Sequence, residues 1–333
     1  MTEHTRGDEK PLKFKLTLRK YIMAHMVETM AYAGEVPWHG LGVQVKENLT
    51  PQEMLEVAGL NWQVEKQQLF TSEGIEITSK KGLIRSSDNT VLDVVGDDWN
   101  PVQNEEAFEF FKEYVEAGDM EMHTAGSLQN GKMVWALAKT KDSFELFKGD
   151  QTDNYLLFSN PHKYGSSIDV RMTPVRVVCN NTLTMSLNQA AIDGVKLSHR
   201  KVFNAEMVKQ HMGIARTKLD DYKNVVSFIG SKRYNSQTIT NYFNEVFGKP
   251  SESGKVMEFT SRNAESAYNI INTQPGANFA EGTFWQAFNA VTHMTDHLMG
   301  RSNEGRMNAV WYGHHRRLKN KALEKAVEYA EAA

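Results

Sequence analysis

The dominant hydrophobic period of this chain changes near residue 204, and that change limits what it can fold into. Before it, apolar residues recur mostly in short extended runs broken by Gly, Asn and Asp, with a few short helical stretches between them. After it, they recur at helical spacing to the C-terminus. Strands followed by helices imply an α+β fold. The expected form is a mixed or antiparallel sheet with packed helices, carrying a β-β-β-α-like core and followed by a helical C-terminal region. The expected organisation is an N-terminal arm over 1–22, an α+β core over 23–203 and a helical region over 204–333.

Local signals set the elements. "LKFKLTLRK", residues 12–20, alternates Leu12, Phe14, Leu16 and Leu18 with polar residues, as an amphipathic strand does. It reads as an edge strand or as an arm added to a neighbouring subunit, and a start at Met23 would make it dispensable. Thr50, Pro51 and Glu53 form a capping box that opens a helix ending at Gly59. "NWQVEKQQLF", "IEITSK", "KGLIRSS" and "TVLDVVG" read as a strand meander turning at Asp88-Asn89, with a helix over 105–117 behind it. Asn130-Gly131 marks a hairpin. "NYLLFSN" is a buried strand, and Pro174 in the next strand demands an edge or a bulge. A helix is expected from Thr182, capped by Asn180 or Asn181. Long and short helices follow over 205–230, 237–247, 261–273 and 283–299, and a basic helix runs from Arg316.

Charge narrows the functional classes. The 333 residues carry a net charge of −3, yet residues 161–233 hold twelve Lys/Arg against five Asp/Glu. A basic middle in an acidic protein points to one anion-binding place, or else to a solvated helix face. "RMTPVRVVCNNTL" puts Arg171 and Arg176 on a strand that leads into the expected helix start, where unpaired N–H groups favour phosphate. Five residues apart, the two arginines face opposite ways in a regular strand; a bulge at Pro174 brings them to one face. Lys163, Tyr164, Asn180, Asn181, His199, Arg200 and Lys201 complete the candidate site. Tyr164, in a polar turn, is the stacking ring, whereas Trp135, Tyr155 and Phe158 read as core. The alternative is that each arginine pairs with a carboxylate such as Asp169 or Asp193. Arg316, Arg317, Lys319 and Lys321 form a secondary basic patch. His293, Asp296 and His297 are candidate metal-site residues on one helix face, with Asp where related motifs carry a Glu base and no further ligand evident beyond the remote His39, His314 and His315.

Other chemistry is not indicated. There is no phosphate-cradling glycine loop, no dinucleotide fingerprint and no nucleophile elbow, and the lone Cys179 sits in an apolar run. No cofactor is expected. No signal-peptide core or membrane-spanning run is present, so a cytoplasmic location is expected.

The landmarks "PWHGLG", "GDDWNPVQNEEAFEFF", "AGSLQNGKMVWALAK", "TPVRVVCNNTL" and "GTFWQAFNAVTHMTDH" together resemble the phage/plasmid-like family built on the domain of unknown function 932. The resemblance spans roughly residues 24–330 and implies a mobile-element origin but no activity. The order of the meander and the helix at 105–117 is similar to that of the RecT/Red-beta and Rad-type single-strand annealing proteins. That likeness implies a ring- or filament-forming homo-oligomer that holds single-stranded DNA in a basic groove without hydrolysing nucleotide. The expected function is single-stranded DNA binding and annealing. The alternatives are inhibition or recruitment of a host defence factor, and a metal-dependent enzyme acting on nucleic acid.

Overall fold

A computed structural model describes residues 27–34, 36–37, 39–176, 181–182, 194–248 and 259–333. The expected arm, Cys179, Asn180 and all but the first residue of the helix expected from Thr182 lie outside them.

Eight strands form the main sheet: β1 (Val27–Ala33), β2 (Val43–Val45), β6 (Met120–Leu128), β7 (Met133–Glu145), β8 (Gln151–Pro161), β9 (Ile168–Arg176), β10 (Asn181–Thr182) and β11 (Gly194–Leu197). Their order is β10-β9-β8-β7-β6-β1-β2, with β11 also pairing β9. Pairing is antiparallel except between β1 and β2. The hairpin expected at Asn130-Gly131 joins β6 to β7; Gln129, Asn130 and Gly131 all have positive φ, which Asn and Gly accept most readily. β8 after Gln151 and the first half of β7, Met133 to Ala138, are buried throughout, which is why they read as continuous apolar runs rather than alternating ones. Val134, Ala136 and Phe158 face one core; Trp135, Leu137 and Leu157 face another.

The first core is closed by the helix α1 (Pro51–Val57), by the small sheet β3 (Val64–Phe70), β4 (Glu76–Arg85) and β5 (Val91–Gly96), and by α2 (Asn104–Glu109) and α3 (Lys112–Glu116). The capping box opens α1 as expected: Glu53 N–H donates to Thr50 Oγ1 at 3.2 Å, and Thr50 N–H donates back to Glu53 Oε2 at 2.9 Å. Two expectations are corrected here. "IEITSK" and "KGLIRSS" belong to a single strand, β4, because cross-strand pairing continues through Lys80 and Lys81. The helix expected over 105–117 is broken at Phe110-Phe111, whose buried rings pack on Phe158.

The remaining chain is helical: α4 (Ala205–Ser231), α5 (Ser236–Phe247), α6 (Arg262–Ile270), a 3-10 turn (Ala277–Ala280), α7 (Phe284–His293), a π-helical turn (Met294–Leu298), α8 (Asn303–Tyr312) and α9 (His314–Glu331). Most of these helices enclose a core of their own around Trp285, Phe284 and Tyr242. Helix α8 instead returns to the sheet, where Met307, Val310 and Trp311 cover Trp135 and Leu157. None of the described helices is long and apolar enough to cross a membrane.

Candidate nucleic-acid interface

The structure separates the expected basic residues into an interior set and a surface set. The register of β8 and β9 runs unbroken through Asn154 and Pro174, so no bulge occurs there. Pro174 is tolerated because β11 and β10 flank it without pairing it, which leaves it on a local edge. Arg171 and Arg176 therefore stay on opposite faces, and both are buried.

Arg176, 1% exposed, makes a bidentate pair with the buried Asp150, at 2.5 and 2.9 Å. Its Nη2 also donates to the Gly276 carbonyl at 2.9 Å, and Trp285 Nε1 donates to the same Asp150 at 3.1 Å. The guanidinium lies over the Phe279 and Trp285 rings, so Asp150, the Gly276 carbonyl and two aromatic rings surround it. Arg171 donates to the Trp311 carbonyl at 2.8 Å and lies 3.4 Å from Asp169, the carboxylate anticipated for it. Neither arginine presents itself to a polyanion.

The secondary basic patch divides in the same way. Lys319 is buried and donates to both Thr182 Oγ1, at 2.5 Å, and Asp296 Oδ1, at 3.1 Å. Burial lowers its pKa, against the opposing charge of Asp296. Asp296 also accepts the Thr182 N–H and hydroxyl, each at 2.7 Å. This occupies the carboxylate proposed for a metal. The His293 and His297 rings lie 4.8 Å apart, but no cluster of three or more His, Cys, Asp or Glu side chains able to hold a metal occurs among the described residues. Arg316 lies 3.8 Å from Asp169, Lys321 is half-buried with its ammonium 3.5 Å from the Val246 carbonyl, and Arg317 is exposed. Asn181 is strand backbone paired with Arg176, not a helix cap.

The surface set gathers at one end of the main sheet, built by the β6–β7 turn and by the loops after β8 and β11. His162 anchors this end. It is wholly buried, its Nε2 lies 2.9 Å from Asn104 Oδ1, and its N–H donates to the Lys132 carbonyl at 2.8 Å. Burial pushes its pKa down to about 3. His199 is also an anchor rather than a contact residue. Its ring stacks on Trp99 at 4.1 Å, and burial lowers its pKa against the pull of the Asn100 and Pro161 carbonyls beside it.

These anchors set the next residues outward. Lys163 is half-buried and donates to Gln129 Oε1 at 3.1 Å; its pKa is lowered by burial and by the neighbouring Lys132. Tyr164 is 62% exposed, held by its backbone N–H to Asp93 Oδ2 at 2.8 Å, with the Lys80 ammonium 5.7 Å from its ring centroid. Arg200 and Lys201 project from the turn after His199. Arg200 pairs with Asp98 at 3.3 Å, but both partners are about two-thirds exposed.

That exposure decides what each set can do. An exposed pair is worth about 0–1 kcal/mol, so Arg200 can exchange Asp98 for a phosphate. Separating Arg176 from Asp150 leaves an uncompensated buried charge at about 3–5 kcal/mol. Sequence reasoning missed Lys80 and Lys132. Lys80 lies in the run split in error at Lys80-Lys81, and Lys132 directly follows the Asn130-Gly131 turn.

Searches of curated proteins and of solved structures find no match, so the likeness to annealing proteins rests on element order alone. One family model does match: the Domain of unknown function (DUF932), over residues 91–317, about two thirds of the chain. It runs from β5 to the first turn of α9, taking in the main sheet from β6 onward and most of the helical region, and the chain belongs to that family.

Proposed function

We propose that the protein binds single-stranded DNA at the loop end of the main sheet and serves in strand annealing as an oligomer. One observation carries this reading. Tyr164 is an exposed ring held in place by its own backbone, with Lys80 over it and Lys163 beside it. An unpaired base stacks on such a ring while ammonium groups follow the phosphates. A base already paired in a duplex does not offer its face, so the site favours a single strand.

The cationic set here is small: Lys80, Lys132, Lys163, Arg200 and Lys201. Neutralising three or four phosphates gives a slope of log K against log salt of about −2 to −3 for a single strand. One chain then holds a strand modestly, and several chains in a row hold it firmly. In a fluorescence-anisotropy titration of a labelled oligonucleotide, Tyr164→Ala should weaken binding about 5- to 150-fold, at about 1–3 kcal/mol per stacked base. A double variant Lys80→Glu, Arg200→Glu should flatten the salt slope. Absence of binding by the folded protein at low salt, or full affinity in Tyr164→Ala, contradicts the reading.

A further inference from the structure

At the other end of the same strands lies a cavity of about 610 Å³. Its floor is the face of the sheet beside α8: Lys139 of β7, Asp153 and Tyr155 of β8, and Thr173 of β9, with Trp311 of α8 as a wall. Asp153, near the start of β8, and Pro161, at its end, are eight residues apart, roughly 26 Å at about 3.3 Å per residue. The cavity and the Tyr164 surface are therefore separate places.

The cavity has a definite chemical character. Glu47, Glu121 and Asp153 line it, against Lys139 as the only Lys or Arg among the described lining residues. Lys139 is itself engaged by Asp153 at 2.5 Å. Glu47 and Glu121 are exposed and have no hydrogen-bond or ion-pair partner among the described residues, so their negative charge is uncompensated. An anionic ligand is disfavoured by that charge; a cationic one is drawn in.

Two further features suit a cation with hydrogen-bonding protons. Tyr155 and Trp311 contribute aromatic surface, which attracts ammonium and guanidinium groups. Thr124 also lines the cavity. It is 0% exposed, and its hydroxyl has no hydrogen-bond partner, a state that a buried polar group seldom keeps without a ligand or a water. Beside it, the β6–β7 register shifts between Met122 and Thr124, which leaves His123 as the extra residue of a bulge at the cavity wall. Burial of His39 and His123 keeps both wall imidazoles uncharged at neutral pH, with pKa values pushed down to about 3 and about 4, so they add no positive charge.

We propose that this cavity is a binding site for a ligand bearing a guanidinium or primary ammonium group, held between Glu47, Glu121 and the Tyr155 and Trp311 rings. The volume lies in the range of small-molecule sites. The group has two sources, a free organic amine or the basic side chain of a protein partner.

Calorimetric titration of the full chain tests this with agmatine, with an acetylated and amidated Gly-Arg-Gly peptide, and with inorganic phosphate. Saturable one-to-one binding of agmatine or the peptide is expected, weakened at least tenfold in the double variant Glu47→Gln, Glu121→Gln. Both substitutions lie at exposed positions and leave the core intact. Tighter binding of agmatine assigns a free amine, and tighter binding of the peptide assigns a partner's side chain; either supports the site. Failure of both to bind the folded protein, equal binding by the double variant, or a preference for phosphate overturns it. Tyr164→Ala should leave these titrations unchanged, and the glutamate variants should leave DNA binding unchanged, so each reading fails on its own measurement.

Discussion

Replacing Arg176 by Met should destabilise the protein by about 3–5 kcal/mol, because Asp150 is then left buried and charged. The melting temperature should fall by on the order of 10 °C. The double variant Arg176→Met, Asp150→Leu should recover part of the loss, since it removes the unpaired buried charge but leaves Trp285 Nε1 without its acceptor, at about 1–3 kcal/mol. Arg200→Ala, on the surface, should stay within about 0.5 kcal/mol of the unaltered protein. Urea unfolding of the four proteins distinguishes the interior set from the surface set. A stable Arg176→Met protein that has lost only its DNA affinity would return this arginine to the interface.

Acid should destabilise the fold well above the carboxylate range. Burial pushes the pKa values of His39 and His162 down to about 3, from 6.5 in the unfolded chain. Between those values the unfolded state binds protons that the folded state refuses, so stability rises with pH there. The contribution is complete above pH 6.5 and is lost as pH falls toward 3. At pH 5 each imidazole should have lost about 2 kcal/mol, or about 4 together. Urea midpoints at pH 7, 6 and 5 should fall in step; His123 and His293, whose pKa values are also pushed down to about 4, act in the same direction, so His162→Gln should reduce the slope by well under half. Equal stability at pH 7 and pH 5 would show that these imidazoles take up protons in place.

What could be read from the sequence was what neighbouring residues decide. Thr50, Pro51 and Glu53 determine a helix start among themselves, and Asn130-Gly131 determines a turn through its own backbone preferences. Tyr164 was identified as an exposed ring because its polar turn is likewise local. The arginines were misread because their roles depend on residues far away in the chain. Arg176 finds Asp150 across a strand pair and Trp285 from a helix more than a hundred residues on. Lys319 and Asp296 were assigned to two different chemistries, a basic patch and a metal site, yet each is the other's partner. Charge counting along a chain cannot separate a cation that faces water from one that neutralises a buried acid. Strands buried on both faces remove the alternation that would have made the distinction.

The proposed interface is narrower than the basic middle of the sequence implied. In that proposal, five cations and one ring at the loop end of the sheet take the role first given to Arg171 and Arg176. Photo-crosslinking maps this directly: an oligonucleotide carrying 5-iodouracil is irradiated with the full chain, and the adducts are located by peptide mass spectrometry. The account predicts adducts on Tyr164 and the peptides next to it. Adducts confined to the helical region, or none under conditions where the oligonucleotide binds, would contradict it.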